Sequence, residues 1–274
     1  MTDTGQGPLL SDNPIDGVRR ITLNRPDRLN AMTCEMIDML VDEIGRIHFD
    51  PQVRVVIVTA EGRGFCSGAD LSGAGRPGNM PAGIEAGTPQ YARYFLQQME
   101  RIPKGLRALP QPVICAINGV TAGAGFSLAL ACDMAIAAKS ARFVNAIHNA
   151  GTGCEFGMSY LLPRAVGLQK AAEILFTQRP VSSEEAERIG LVLKTVPDEE
   201  LMDEALALAR DMIVNVPLGL WVTKQALWAN QAAGSLDAAI EFEHRGVYLA
   251  QASEDAKEKR ASFLEKRPPV FRNR

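Results

Sequence analysis

The sequence predicts an α/β fold in which strands and helices alternate over the first 197 residues. Short runs rich in β-branched residues alternate with segments of helical periodicity, a pattern that favours parallel strand pairing. After Pro197 the composition shifts, and four helical segments follow one another without an intervening strand. We therefore divide the chain into a core of residues 1–197 and a helical C-terminal segment of residues 198–274.

The amino-terminal part of the core carries a hairpin signal, a capped helix and a buried strand. Asp16-Gly17 separates two apolar runs, as expected for a two-residue hairpin turn. Thr33 is a good N-cap for a helix that Asp50-Pro51 would stop. The predicted elements are strands Leu9–Ile15, Val18–Leu23 and Val53–Thr59, and a helix after Thr33 with Met36, Leu40, Ile44 and Ile47 on one face.

The remainder of the chain follows a loop rich in glycine and proline. Residues 72–90 contain five Gly and three Pro, so we expect an irregular loop there. Ser182-Ser183-Glu184-Glu185 fits a capping box, and Gly190 ends the short helix that it begins. The other predicted elements are a helix over Tyr91–Ala108 with a kink or break at Pro103, a helix over Ala124–Ala131, strands Val113–Ile117, Met134–Ala137 and Leu191–Val196, and helices Asp198–Val216, Leu218–Ala229, Ser235–Ala252 and Ser253–Lys266.

Composition and charge point away from nucleic acids and membranes. The 274 residues are 46% hydrophobic, enough for a sizeable core, and the net charge of −3 gives no basic surface for nucleic acid or anionic lipid. Met1–Gly7 lacks the features of a signal peptide, and no apolar stretch is long enough to span a bilayer. The five cysteines have no metal-binding spacing, so we expect reduced thiols, no bound metal and a cytoplasmic location.

Two stretches of small residues each follow a predicted strand. They are Phe65–Leu71 and Asn118–Phe126, and the second leads into a helix. Small residues allow a ligand to approach the backbone closely, and N–H groups at a helix start have no intrahelical partner. Two such N–H groups directed at one oxygen form an oxyanion hole. Either stretch alone predicts only a tight turn, but together they predict a pair of donors.

Further motifs extend along most of the chain. Together with the two stretches of small residues, they resemble the crotonase superfamily, also called the enoyl-CoA hydratase/isomerase family. The resemblance implies a crotonase-like spiral of ββα units, followed by a C-terminal helical segment used for trimer formation, with trimers often pairing into hexamers. It also implies an acyl-CoA substrate and no separate cofactor. The motifs are Ile21–Pro26, Leu29–Met32, Arg63–Leu71, Pro112–Ile114, Ile117–Gly119, Ala131–Asp133, Ser140–Phe143, Leu161–Arg164, Gly190–Val192, and Phe263 with Lys266–Pro269.

The resemblance also assigns roles to individual residues. It implies that the backbone N–H groups of Ala69 and Ala124 hold the thioester oxygen, and that Gly123 belongs to the second donor motif. The implied CoA contacts are Leu29, Ala31, Ala69, Asp70 and Leu71 for the adenine and pantetheine, Arg28 for a phosphate, and Phe263 and Lys266 for closure over CoA, often from a neighbouring subunit. Alternatively, Arg28 and Lys266 could be solvated charges, and Phe263 could be a packing residue.

The acid/base residues depart from the family pattern. Typical hydratases carry two glutamates at places that hold Ser127 and Ile147 in this chain, and neither of these residues is a general base for water addition. Glu155 matches the place where some dienoyl-CoA isomerases and the 4-chlorobenzoyl-CoA dehalogenase carry an essential aspartate. Burial would raise the pKa of this carboxyl and suit acid/base catalysis. Alternatively, Glu155 could be the N-cap or a first-turn residue of the helix that follows.

These observations leave several functions open. The leading hypothesis is an enoyl-CoA hydratase that adds water to a 2-enoyl-CoA, with Ser127 as a residue that could hold the water. The alternatives are an enoyl-CoA isomerase that uses Glu155, a dehalogenase or thioester hydrolase, and an acyl-CoA-binding protein without activity.

Two further expectations concern structure. Asp133 is expected to have a structural role. The large apolar residues of the C-terminal helices predict a homotrimer or hexamer.

Overall fold

A computed structural model describes residues 7–70, 72 and 75–273. In this part of the chain, two β-sheets are surrounded by helices. The strands are β1 (Leu9–Ile15), β2 (Val18–Leu23), β3 (Val55–Ala60), β4 (Gly64–Cys66), β5 (Val113–Ile117), β6 (Val120–Ala122), β7 (Met134–Ala138), β8 (Arg142–Val144), β9 (Val181–Ser182) and β10 (Lys194–Val196). The helices are α1 (Cys34–His48), α2 (Pro89–Met99), α3 (Arg101–Ala108), α4 (Ala124–Ala131), α5 (Met158–Val166), α6 (Leu168–Thr177), α7 (Ser183–Arg188), α8 (Leu201–Ile213), α9 (Pro217–Ala229), α10 (Leu236–Ala252) and α11 (Glu254–Leu264).

From β3 to β8, successive strands alternate between the two sheets. The larger sheet has the order β1-β2-β3-β5-β7-β10, and the smaller sheet has the order β4-β6-β8-β9. Strands β3, β5 and β7 lie in the larger sheet, and the strand that follows each of them lies in the smaller sheet before the chain continues into helices. This arrangement is a spiral of ββα units, so the predicted α/β fold is confirmed.

Strand pairing follows the sequence pattern. The β1–β2 hairpin is antiparallel, as Asp16-Gly17 predicts, and the other pairs of the larger sheet are parallel. Every residue of β3 and β5 is buried, as expected for parallel strands covered on both faces. The predicted strand Leu191–Val196 is shorter than expected, since only Lys194–Val196 pairs with β7.

The predicted helix over Tyr91–Ala108 is two helices that meet at Glu100. Pro103 has no N–H, and in a continuous helix its ring would collide with the carbonyl of Met99. The break three residues earlier puts Pro103 in the first turn of α3, where N–H groups have no intrahelical partner. The prediction of a break is therefore confirmed, although the break lies at Glu100 rather than at Pro103.

Asp133 attaches helix α9 to the core through a buried polar cluster. Its Oδ1 accepts a hydrogen bond from Trp228 Nε1 at 2.8 Å, and its Oδ2 lies 2.8 Å from Lys224 Nζ and accepts from the Val113 N–H at 2.7 Å. Burial lowers the pKa of Lys224, although Asp133 opposes that effect. The Arg107 guanidinium lies 3.1 Å from the centre of a Trp228 ring. The expected structural role of Asp133 is therefore supported.

We expect Trp228→Phe to lower the free energy of unfolding by about 1–3 kcal/mol, because it removes a hydrogen bond to a charged, largely buried carboxylate. The measurement is the urea midpoint of purified protein. Trp221→Phe is the matched control, since Trp221 also lies half-buried on α9 and donates no side-chain hydrogen bond to any described residue. Equal losses of stability in the two variants would contradict this account of the cluster.

The five cysteine thiols differ in burial. Cys34, Cys66, Cys115 and Cys132 are buried, Cys154 is exposed, and all five are free.

Among the described residues, no single helix has the length and composition to cross a membrane. The segments Asp198–Ile213 and Pro217–Ala232 reach that length and apolar composition only when they are counted together, and a bend of 107° separates them.

Candidate functional site

The two stretches of small residues lie directly against each other. Gly68 has φ +103°, and a Cβ added there would lie 3.3 Å from the Ala122 carbonyl oxygen and 3.5 Å from the Ala124 nitrogen. A Cβ at Gly125 would collide with the backbone of Cys66, so α4 begins in direct contact with β4. Glycine at these positions permits the close approach. The contact that the sequence predicts between the two motifs is therefore present.

The candidate oxyanion donors are the backbone N–H groups of Ala69 and Ala124. The Met32 N–H donates to the Gly68 carbonyl at 2.8 Å, and the Asp70 N–H donates to the Met32 carbonyl at 2.9 Å. In this parallel bridge, the N–H of Ala69 between them points away from Met32. Ala124 is the first residue of α4, where N–H groups have no intrahelical acceptor. No described residue accepts a hydrogen bond from either N–H.

A buried asparagine fixes the loop that supports the first donor. Asn30 is fully buried; its Nδ2 donates to the carbonyls of Glu61 at 2.9 Å and Gly64 at 2.8 Å, and its Oδ1 accepts from the Arg25 N–H at 2.7 Å. Leu29 and Asn30 both have positive φ, a conformation that asparagine tolerates better than most residues. The motif Leu29–Met32 contains Asn30, but the sequence analysis did not predict this role.

The candidate CoA contacts on this loop lie beside the first donor. Leu29 and Ala31 are half-buried and Arg28 is exposed. The Leu29 carbonyl accepts from the Ser67 N–H at 2.9 Å, so this loop and the first donor loop are joined by backbone bonds. Arg28 makes no side-chain bond to any described residue that would exclude a phosphate.

The side chain of Asp70 secures the donor loop. Its carboxylate accepts from Ser72 Oγ at 2.6 Å and from Arg25 Nη1 at 2.9 Å, and these bonds hold its pKa below the usual value. The contact with CoA that is predicted here involves the backbone of this loop and does not need the Asp70 side chain. Leu71, the other predicted contact in this loop, lies outside the described residues.

Phe263 and Lys266 lie on an exposed part of the C-terminal segment. Phe263 is 79% exposed at the end of α11. Lys259 in the same helix donates to the Val214 carbonyl at 2.7 Å, and Asn273 donates to the Pro51 carbonyl at 3.4 Å, near the amino end of β3. None of the bonds of this segment leads to the described residues of the donor loops. Closure of Phe263 and Lys266 over CoA thus remains a prediction.

Glu155 lies in a tight turn just before α5. Its carbonyl accepts from the Met158 N–H at 3.1 Å, and the two residues between them have positive φ, 57° at Phe156 and 84° at Gly157. The N-cap of α5 is Gly157, and no side chain caps this helix. The alternative in which Glu155 caps α5 or belongs to its first turn is therefore wrong.

The carboxylate of Glu155 has no charged or hydrogen-bonding partner among the described residues. Burial raises its pKa above the usual value, because removing a carboxylate from water disfavours the ionised form. A carboxyl whose pKa is raised toward working pH can both accept and return a proton.

The other two candidate positions contain no acid/base group. Ser127 is fully buried in α4, and its Oγ donates to the Glu155 carbonyl at 3.5 Å. Ile147 is 4% exposed and apolar. The structure therefore brings Ser127, Glu155 and the helix that begins at Ala124 together, with Glu155 as the acid/base candidate among them.

Comparisons with known proteins agree with this geometry. The sequence model of the enoyl-CoA hydratase/isomerase family matches residues 15–274. The chain belongs to the enoyl-CoA hydratase/isomerase family. It is 42% identical over 265 residues to the probable enoyl-CoA hydratase echA12 of Mycobacterium bovis, covering 96% of this chain and 92% of that protein. It is 38% identical over 255 residues to the 1,2-epoxyphenylacetyl-CoA isomerase of Escherichia coli, covering 93% and 95%.

Solved structures of this family also superpose on the chain. A probable enoyl-CoA hydratase/isomerase from Mycobacterium abscessus aligns with a TM-score of 0.89 at 37% identity, covering 98% of this chain and 100% of the other. A monofunctional enoyl-CoA isomerase from M. smegmatis aligns with a TM-score of 0.71 at 38% identity, covering 85% and 98%. The hydratase/isomerase family thus includes relatives named for both reactions, and this chain is an acyl-CoA enzyme of that family.

Proposed function

We propose that this enzyme moves the double bond of an enoyl-CoA by proton transfer through Glu155. The observation that carries the proposal is a half-buried carboxylate without a partner among the described residues, next to the helix that begins at Ala124. The two places that hold glutamates in typical hydratases hold Ser127 and Ile147. Isomerisation needs one group that accepts a proton and returns it, whereas the usual hydratase site has two carboxylates.

In this mechanism the N–H groups of Ala69 and Ala124 hold the thioester oxygen. The Glu155 carboxylate takes a proton from carbon 2 of a 3-enoyl-CoA, and the electron pair of the broken C–H bond moves to the thioester oxygen through the enolate. The paired donors stabilise that negative charge. The protonated Glu155 then donates the proton to carbon 4, which gives the conjugated 2-enoyl-CoA and restores the carboxylate.

Hydration of a 2-enoyl-CoA is the second candidate. It is favoured by the names of relatives such as the 42% identical probable enoyl-CoA hydratase. In this reaction Glu155 alone would activate the water and supply the proton. Neither candidate uses a metal or redox cofactor, so treatment with a chelator should leave turnover unchanged.

Product analysis distinguishes the two candidates. Purified protein is incubated with 2-enoyl- and 3-enoyl-CoA thioesters of several chain lengths, and with an aryl epoxide thioester because of the relative named 1,2-epoxyphenylacetyl-CoA isomerase. The proposal predicts conversion of a 3-enoyl-CoA into its 2-enoyl isomer with unchanged mass. A product that has gained one water would instead support hydration. Binding without any product would contradict both and support an acyl-CoA-binding protein.

We also propose that the C-terminal segment after residue 197 forms contacts between copies of the chain. Helix α10 contains no buried residue, yet it carries several large apolar side chains. Exposed apolar surface of this extent is typical of subunit interfaces. The exposed apolar residues of α9–α11 are Leu227, Leu236, Ile240, Phe242, Val247, Tyr248, Leu249, Phe263 and Leu264.

We expect a trimer or hexamer of the 29.6 kDa chain in solution. Covering the exposed apolar residues of α10 would stabilise the assembly by removing their surface from water. Light scattering after size-exclusion chromatography at micromolar concentration measures the mass directly. A monomer under these conditions would rule out the proposed contacts.

We also propose a cytoplasmic location for the protein. This proposal rests on the expected reduced state of the thiols.

A further inference from the structure

We infer that Ser127 is a positioning residue that connects the oxyanion helix to the main chain of Glu155. This inference rests on the proposed acid/base role of Glu155. The hydroxyl stands where typical hydratases have a glutamate, yet it is directed at the Glu155 carbonyl, at 3.5 Å. Its role would therefore be to set the distance between the thioester oxygen and the carboxylate.

The surroundings of Ser127 leave its hydroxyl few other partners. Ser127 is 0% exposed, and the other residues of α4 are Ala, Gly, Phe and Leu. A buried hydroxyl without a hydrogen bond is costly, which favours a retained bond to the Glu155 carbonyl. The N–H of Ser127 donates to the Gly123 carbonyl at 3.2 Å, so the same residue also belongs to the first turn after the donor Ala124.

The turn that contains Glu155 is fixed by its main chain. Phe156 has φ 57°, a conformation that is unfavourable for a bulky residue and persists only where the surroundings impose it. Phe156 is only 7% exposed and belongs to the main apolar core. The Glu155 carbonyl accepts from both Met158 N–H and Ser127 Oγ. Since no described residue bonds the Glu155 carboxylate, the main chain is the part of Glu155 that hydrogen bonds hold in place.

The test compares Ser127→Ala and Ser127→Cys with wild type in steady-state assays. Alanine removes the hydroxyl, and cysteine fills the space but is a weak donor. We expect both variants to lower kcat about 3- to 10-fold, with KM for the acyl-CoA unchanged, because the CoA contacts are untouched. A double-mutant cycle with Glu155→Gln then asks whether Ser127 acts through Glu155; we expect Ser127→Ala to have no further effect on kcat in that background.

Each alternative result overturns a defined part of the account. Wild-type kcat in Ser127→Ala overturns the inference alone, and so does full activity in Ser127→Cys beside a loss in Ser127→Ala, which would indicate packing. An equal loss from Ser127→Ala with and without Glu155→Gln would mean that Ser127 acts through the donor helix, again overturning the inference. Wild-type kcat in Glu155→Gln overturns the proposed function, and the inference with it.

Discussion

Glu155→Gln is expected to lower kcat roughly 10²- to 10⁴-fold, the usual contribution of general acid–base catalysis. Glutamine keeps the size and hydrogen-bonding capacity of the side chain but cannot exchange a proton with the substrate. Because the candidate CoA contacts lie on other loops, affinity for the acyl-CoA should be little changed. Single-turnover and steady-state assays on the most active thioester of the substrate panel measure both quantities.

The stability of the same variant provides its control. Burial raises the pKa of Glu155 in the folded state above its unfolded value. Folding therefore binds protons in the window between the two pKa values, and the ionised carboxylate reduces stability as pH rises through that window. Glu155→Gln should lose this pH dependence and be at least as stable as wild type at pH 8, by urea midpoint. Near-wild-type kcat in a stable variant would end the single-carboxylate mechanism.

Ala124→Pro is expected to lower kcat roughly 10²- to 10³-fold, the effect of losing one oxyanion-hole donor. Proline lacks the N–H, and the first position of a helix tolerates it because that N–H has no intrahelical acceptor. The helix should therefore form, while the pyrrolidine ring replaces the donor and takes part of the space for the thioester oxygen. KM for the acyl-CoA should rise, because the ring occupies part of the space for the thioester oxygen.

Ala124→Gly separates the donor from the methyl group. It keeps the N–H and removes only the side chain, so its kcat should stay close to that of wild type. Circular dichroism and urea unfolding check that both variants remain folded. If Ala124→Pro is folded and fully active, the N–H of Ala124 does not hold the thioester oxygen.

The sequence predicted the larger sheet better than the smaller one. The hairpin β1–β2 and the buried strands β3, β5 and β7 have apolar or turn patterns strong enough to identify, within two residues at their ends. Strands β4, β6, β8 and β9 are two or three residues long and carry too few side chains to show a period of two. They were therefore visible only as the motifs that surround them.

The candidate site was predictable in its parts but not in its connections. The contact between the two donor loops follows from their glycines, which the sequence displays directly. The bond from Ser127 to the Glu155 carbonyl links residues 28 positions apart through their fold, and no local pattern encodes it. The role of Asn30 could not be predicted for the same reason, since its partners lie more than 30 positions away, Glu61 just before strand β4 and Gly64 at its first residue.

The most direct test of the central claim follows one hydrogen through a single turnover. A 3-enoyl-CoA labelled with deuterium at carbon 2 is converted in ordinary water, and the product is examined for deuterium at carbon 4. If the carboxylate of Glu155 takes and returns the same hydrogen, part of the label appears at carbon 4, and the Glu155→Gln variant forms no product labelled at carbon 4 on this time scale. Isomerisation with equal rate in the variant, or a product without any deuterium at carbon 4, would contradict a single shuttling carboxylate.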